Sequence, residues 1–182
     1  MALPSERAGR AISACGTAVA GLLRPRRSAE GGGRSSSRRP GRRPLGRMRY
    51  VAAASPGLVD RHFGGPLGDA PAKAPVVTFD RRDSYQDRFA RELRGGAGGA
   101  SPARHAIPTS EGFVGAVTLG LGWGMVPEVQ AGPLLRAGRL IQPAPERPVD
   151  APLYWQQCKP DSPALAAVAD AVTTAAAEAL RS

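Results

Sequence analysis

The order of apolar and polar positions predicts strands and helices that alternate from residue 48 to residue 180. Short apolar or β-branched runs predict strands at residues 48–54, 76–79, 106–107, 123–126, 139–141 and 153–158. Helical spacing predicts helices that begin near Leu58, Ser84, Ser110, Val129 and Ser162, with Gly132-Pro133 interrupting the fourth. Helices that alternate with strands through short loops are typical of an α/β fold with a mainly parallel sheet.

Local signals at two helix ends support these assignments. Ser84 and Asp87 have the spacing of a capping box, and Tyr85, Phe89 and Leu93 follow at the spacing of one buried helix face. The last helix has a proline at its first position, where the missing N–H is tolerated. Its apolar face is expected to consist of Leu165, Val168, Ala169, Val172, Ala176 and Leu180.

The central stretch at residues 105–128 indicates a binding site for a small anion. Thr109 and Ser110 are expected to cap a helix that follows a strand, and Glu111 is favourable near the positive end of the helix dipole. A helix that begins with free N–H groups beside a strand end can bind a carboxylate. Capping alone explains the same residue types, so both interpretations stay open.

The glycines at 120, 122 and 124 partly match a dinucleotide-binding loop. That fingerprint requires a strand before the glycines and a helix after them. Here the predicted helix comes first and the strand second. We therefore expect these glycines to allow tight turning and close packing.

A second candidate site follows the strand at 76–79, where Asp80, Arg81, Arg82 and Asp83 form a charge cluster. The cluster could be a solvated turn before the next helix. Its carboxylates could also meet a cationic ligand, because ligands of open α/β sheets lie outside the carboxyl ends of the strands.

The sequence contains no arrangement typical of catalysis. His62 and His105 are the only histidines, and neither has a partner in a recognised motif. Ser110 does not lie in a nucleophile elbow, and the carboxylates are scattered without pairing. We expect the chain not to be an enzyme and to need no cofactor or metal.

The excess charge belongs to the first 49 residues, which hold twelve arginines and two glutamates. The remaining thirteen basic and thirteen acidic residues cancel, so the net charge of +10 does not describe the globular part. Cys15 and Cys158 form no metal or disulfide pattern, which fits a cytoplasmic protein. The apolar run at 11–23 is too short to span a bilayer, and no cleavage site of a secretory signal follows it.

Four segments together resemble the effector domain of LysR-type transcriptional regulators. They are PLGRMRYVAAASP (44–56), APVVTFDRRDSYQDRF (74–89), SEGFVGAVTLGLGWGMVPE (110–128) and DAPLYWQQ (150–157). Their order and spacing are most similar to the ArgP-like subgroup, over about residues 44–180. The resemblance implies a periplasmic-binding-protein-like partial domain at residues 47–182, with one complete lobe and the last strand and helix of a second.

The resemblance also implies a function. Regulators of this subgroup sense lysine or arginine and control transcription of amino acid export genes. The ligand contacts implied here are Asp80 and Asp83 for the side-chain cation, and Thr109, Ser110 and Glu111 for the carboxylate and amino groups. Family members form homodimers or tetramers in the cytoplasm, without a membrane partner, and bind DNA through a winged helix-turn-helix.

That DNA-binding domain and the first half of the second lobe are not found in these 182 residues. We therefore expect weak ligand binding, reduced stability and an exposed apolar patch on the last helix.

Residues 1–46 are rich in Arg, Gly, Ser and Pro and are expected to be a disordered, low-complexity segment. Three interpretations compete for it. It could bind nucleic acid through phosphate contacts, it could be a solvated linker, or it could be out-of-frame translation of a GC-rich gene. The third is preferred, because the family places folded domains at this position.

A second functional hypothesis is a small-molecule-binding module of the two-lobed, solute-binding type with no DNA-binding role. A working signal sequence would support it, and the weak run at 11–23 counts against it.

Overall fold

A computed structural model of the chain describes residues 10–13, 42–65, 67–156 and 163–181. The chain separates into two units, of which one is Met48–Asp150 and the other combines Met1–Arg47 with Ala151–Ser182. The backbone therefore passes between the units twice. One complete lobe flanked by two crossings is the organisation that the family resemblance implies.

Within the described ranges, strands and helices alternate along most of the chain. The strands are β1 (Arg10–Ser13), β2 (Arg42–Ala53), β3 (Val76–Thr78), β4 (Arg104–Ala106), β5 (Gly124–Pro127) and β6 (Val149–Gln156). The helices are α1 (Pro56–His62), α2 (Ala70–Lys73), α3 (Tyr85–Leu93), α4 (Ser110–Thr118), α5 (Glu128–Arg136) and α6 (Pro163–Ala179).

Parallel pairing of β3 with β4 determines where the candidate site lies in the unit Met48–Asp150. Thr78 lies opposite Ala106 at the carboxyl ends of the two strands. The backbone N–H of Val77 also donates to the carbonyl of Trp123 at 2.8 Å, which joins β3 to the segment that leads into β5. The expected parallel pairing is confirmed here and between β1 and β6, whereas β2 pairs with β5 in antiparallel orientation.

The core of this unit surrounds β3, whose three residues are all buried. A continuous β-branched run suits a strand that is covered on both faces. The main cluster of buried side chains consists of Val51, Ala53, Val77, Phe113, Ala116, Val117, Val126, Ala131 and Leu140. Because α4 contributes three of these side chains, packing fixes the position of its first turn relative to β3.

Two predictions for residues 129–141 are wrong. Gly132 and Pro133 do not interrupt α5, which is continuous through the proline. No strand forms at 139–141, because the N–H groups of Arg139 and Leu140 both donate to Leu134 at the end of α5. Only Ile141 forms an antiparallel bridge there, with Ala54. One helical turn, α2 at Ala70–Lys73, lies where the sequence analysis predicts neither a helix nor a strand.

The other unit contains β1, paired in parallel with β6, and the long helix α6. On the predicted apolar face of α6, Ala169 and Ala176 are buried, whereas Val168 is 49% exposed. Leu165, Val172 and Leu180 of the same face are partly buried, so the exposed apolar patch expected on this helix stays a prediction. None of the helices in the described ranges combines the length and apolar character needed to cross a membrane.

Several predictions fall on residues outside the described ranges. They concern most of the basic segment at 1–46, the two cysteines, most of the apolar run at 11–23 and the helix start at Ser162. The described strand β2 already begins at Arg42, six residues before the predicted start of its strand at 48.

Candidate functional site

The two predicted groups of ligand-binding residues follow neighbouring strands at one edge of a parallel pair. Asp80 and Asp83 come after β3, and Thr109, Ser110 and Glu111 come after β4. Past the last paired residues, the backbone N–H of Ile107 donates to the carbonyl of Thr78 at 2.9 Å. Both segments therefore leave the sheet at the edge where ligands of α/β folds are usually held.

Asp83 closes the loop that follows β3. Its Oδ2 accepts a hydrogen bond from the backbone N–H of Phe79 at 2.9 Å, and its Oδ1 accepts one from the backbone N–H of Tyr85 at 3.3 Å. The carboxylate thus joins the beginning of the loop to the first residue of α3. The predicted capping box is wrong, since Ser84 makes no capping hydrogen bond with its side chain.

Asp80 lies inside the loop that Asp83 closes. One of its carboxylate oxygens accepts the backbone N–H of Arg82 at 2.7 Å, in a contact exposed to solvent. Among the described residues, Asp80 forms no ion pair with a lysine, arginine or histidine. Arg81 and Arg82 are both exposed beside it. Of the two aspartate carboxylates, that of Asp80 accepts fewer hydrogen bonds from the protein.

Gln86 supports this loop from the interior and was not singled out in the sequence. Its side chain is 1% exposed, and its Nε2 donates to the carbonyl of Val77 at 3.0 Å and to Oδ2 of Asp83 at 3.1 Å. A polar residue beside the predicted stripe of Tyr85 and Phe89, three positions after an aspartate, was the available signal. The contact with β3 could not be read from the sequence.

The start of α4 is open by comparison. Thr109 is the N-cap residue, and its carbonyl accepts the N–H of Phe113 at 2.9 Å, but its side chain makes no capping hydrogen bond. The prediction that Ser110 caps the helix through its side chain is wrong, because Ser110 is already the first helical residue. Thr109, Ser110 and Glu111 are all exposed. The first-turn N–H groups of α4 are thus not occupied by a capping side chain.

The candidate site has two arms, of which one is the loop after β3 with helix α3 and the other is strand β4 with the first turn of α4. An ion pair joins the two arms. Arg104 of β4 donates to both carboxylate oxygens of Asp87 in α3, at 2.9 and 2.6 Å, and the N–H of Ala100 adds a third hydrogen bond at 3.0 Å. The hydrogen bond from Arg104 holds the pKa of Asp87 below its usual value, against a smaller opposing effect of burial. The same bond raises the pKa of Arg104.

The glycines after α4 serve close packing, as predicted. Gly120 adopts a φ of 82°, and a Cβ added at Gly122 would lie 2.7 Å from the carbonyl oxygen of Pro75. The backbone at Gly122 therefore lies directly against the beginning of β3. The order of helix α4 before strand β5 is also the reverse of a dinucleotide-binding motif.

The described residues bring together groups suited to an amino acid with a cationic side chain. Asp80 and Asp83 supply carboxylates at one strand end, and α4 supplies N–H groups and hydroxyls at the next. The structure places the two groups at one edge, but contact of these five residues with a ligand stays a prediction. No cluster of three or more potential metal ligands occurs in the described ranges.

Known proteins are similar to this chain in sequence and in fold. Residues 31–177 match the family model of the LysR substrate binding domain. The chain is 42% identical over 139 residues to the lysine export transcriptional regulatory protein LysG of Corynebacterium glutamicum, covering 75% of this chain and 46% of that protein. The chain thus spans about half the length of the curated relatives it matches.

Solved structures show the same similarity. The crystal structure of ArgP from Mycobacterium tuberculosis superimposes with a TM-score of 0.71 and 39% identity, over 82% of this chain and 51% of that chain. Full-length LysG from Corynebacterium glutamicum with bound effector Arg superimposes with a TM-score of 0.67 and 38% identity, over the same shares of the two chains.

Proposed function

Because this chain belongs to the LysR family of transcriptional regulators, we propose that it is the ligand-sensing part of a regulator that responds to a basic amino acid. The regulator as a whole would bind DNA, act as a homodimer or tetramer in the cytoplasm and control genes for amino acid export. Ligand binding would shift the population of its conformations and so alter transcription. The similar protein LysG is named for lysine export and was solved with arginine as its effector.

The observation that carries the proposal is the shared edge of β3 and β4. A free amino acid with a basic side chain has a carboxylate at one end and a cation at the other. The uncapped first turn of α4 offers N–H groups to the carboxylate, and the helix dipole favours an anion there. The aspartates that follow β3 offer negative charge to the cation.

Each predicted residue receives a role in this arrangement. Asp80, whose carboxylate accepts fewer hydrogen bonds within the protein than that of Asp83, pairs with the side-chain cation, and Asp83 adds its negative charge to the same strand end. The Thr109 and Ser110 hydroxyls join the α4 N–H groups around the ligand carboxylate. Glu111 faces the ligand's amino group, because next to a carboxylate its own charge would oppose binding.

Titration calorimetry of the 182-residue chain with L-arginine, L-lysine and L-citrulline tests this proposal. Citrulline has nearly the shape of arginine but a neutral side-chain end, so it measures the contribution of the cation. We expect arginine and lysine to bind weakly and citrulline to bind about tenfold more weakly still. Asp80→Asn should reduce arginine affinity to about that of citrulline and leave citrulline unaffected.

Asp60→Asn is the matched control, since Asp60 is an exposed aspartate of α1 in the same unit. It should change neither affinity. Equal affinities of the wild-type chain for arginine and citrulline would contradict a site built for a basic amino acid. A loss that is the same in Asp60→Asn and Asp80→Asn would instead indicate a general effect of net charge.

A further inference from the structure

We infer that Gln86 is a positioning residue, which holds the loop after β3 in the shape that presents Asp80 to the cation of a ligand. The inference rests on the proposed function for the ligand and on the hydrogen bonds of Gln86 for the mechanism. Gln86 itself lies in the interior, 1% exposed, and does not reach solvent where the ligand would bind.

The side-chain amide of Gln86 makes two hydrogen bonds to the site. Its Nε2 donates to the carbonyl of Val77 in β3 and to Oδ2 of Asp83, at 3.0 and 3.1 Å. One NH₂ group thus connects the strand, the helix α3 and the carboxylate that closes the loop. An NH₂ group has two donors, and both are used here.

A polar side chain at this buried position indicates that the amide group of Gln86 has a role in the structure. Oε1 of Gln86 is buried and has no hydrogen-bond partner among the described residues. A buried amide oxygen without a partner is unfavourable, so an apolar side chain would be the expected choice on this face of α3. The two hydrogen bonds from Nε2 compensate for this cost. A polar side chain is therefore expected here if the position of Asp83 is important for the loop.

Asp83 carries the effect of Gln86 to Asp80. With Gln86 in place, the Asp83 carboxylate is oriented to accept the N–H groups of Phe79 and Tyr85, which closes residues 79–83 into a ring of fixed size. Asp80 is the second residue of that ring. Without Gln86, Asp83 can rotate away, Phe79 loses its acceptor, and Asp80 samples more orientations. A ligand would then bear the cost of ordering the loop on binding.

Gln86→Met tests the inference, because methionine has the length of glutamine and stays apolar in the interior. We expect the N–H of Phe79 to exchange with solvent faster in the ligand-free variant, measured by amide hydrogen exchange with NMR. We expect arginine to bind about tenfold more weakly, while citrulline binding changes little. Gln86→Asn is a second variant, whose shorter amide cannot reach Val77 and Asp83 together.

Val126→Ala is the matched control, since it removes buried volume from the core and Val126 takes no part in the hydrogen bonds of the loop. It should lower the stability of the unit and leave the ratio of arginine to citrulline affinity unchanged. If the Gln86 variants weaken both ligands by the same factor, or leave the exchange of Phe79 unchanged, the positioning role is wrong. If the wild-type chain binds no basic amino acid, the proposed function fails, and the exchange of Phe79 still decides whether Gln86 holds the loop.

Discussion

The two arms of the candidate site are built in opposite ways. The loop after β3 uses its own aspartate to close itself, with hydrogen bonds from Phe79, Tyr85 and Gln86 to Asp83. The first turn of α4 has no such support, since the side chain of its N-cap residue Thr109 makes no capping hydrogen bond and Ser110 is already the first helical residue. In the loop after β3, the carboxylate of Asp83 has hydrogen-bond donors within the protein. At the start of α4, the first-turn N–H groups have no capping side chain.

The proposed ligand contacts would account for this difference. A loop that presents a carboxylate to a cation must hold that carboxylate still, because an exposed side chain loses rotational freedom on binding. A helix start needs no such support, because its N–H groups are fixed by the helix itself and packing of Phe113, Ala116 and Val117 fixes the helix. The predicted carboxylate-binding arm is therefore rigid by packing, and the predicted cation-binding arm by hydrogen bonds.

The largest effect is expected from Gly122→Ala, which would disturb the support that both arms share. The new methyl group would lie 2.7 Å from the carbonyl oxygen of Pro75 and 2.9 Å from the N–H nitrogen of Val76. These are backbone atoms at the start of β3, so no side-chain rotation can relieve the overlap. We expect the free energy of unfolding to fall by about 3 kcal/mol, measured by urea denaturation.

Gly115→Ala is the control for that substitution. Gly115 lies in α4, and a Cβ added there would meet nothing within 4 Å. Because alanine is the better helix former, we expect a gain of up to about 1 kcal/mol. Equal behaviour of the two variants would show that the two arms do not depend on close packing against β3.

Asp83→Ala and Thr109→Ala compare the two arms directly. The first removes the acceptor of three N–H groups, one of them on the buried Gln86, and should cost about 2 kcal/mol. The second removes a side chain that makes no capping bond, and should cost less than about 0.5 kcal/mol. Urea denaturation of both variants gives the two values. A larger cost at Thr109 would reverse the contrast between the arms.

Sequence patterns predicted correctly strand β3 and the start of helix α4, next to which the two arms lie, because both depend on local features. A β-branched strand followed by charges, and a helix that opens after Pro108, can each be seen within about ten residues of sequence. The choice of cap could not be decided in this way. Asp83 and Ser84 are adjacent and both favour caps, and only the fold shows that the carboxylate of Asp83 is within reach of Phe79 and Tyr85.

Contacts between distant residues account for the rest of what was missed. Asp87 fitted a capping box, but its partner is Arg104, seventeen residues later on the next strand. No sequence pattern assigns a role to Gln86, because its side chain donates to the carbonyl of Val77 on a different element. The strand predicted at 139–141 does not form because the N–H groups of Arg139 and Leu140 donate to the carbonyl of Leu134, which leaves only Ile141 to pair with Ala54. The spacing of apolar residues indicates which side chains face the core, but it does not show which backbone N–H groups already donate to another carbonyl.

A smaller effect than that of Asp83→Ala is expected at Asp87, which pairs with Arg104 and so joins the helix of one arm to the strand of the other. The hydrogen bond from Arg104 lowers the pKa of Asp87 in the folded protein. Its stabilising contribution is therefore fully present above the pKa of about 4 for an aspartate in the unfolded chain, and is lost as the pH falls through the lower folded-state pKa. Asp87→Asn should cost about 1 kcal/mol at pH 7, because the pair is partly exposed. Urea denaturation at pH 7, 5 and 3 should show this difference shrinking only in the acid range.

Glu92→Gln, which breaks the more exposed pair with Arg88, should cost less than about 0.5 kcal/mol at pH 7. A cost for Asp87→Asn that is the same at all three pH values would mean that packing or the hydrogen bond from Ala100, and not the charge, joins the two arms.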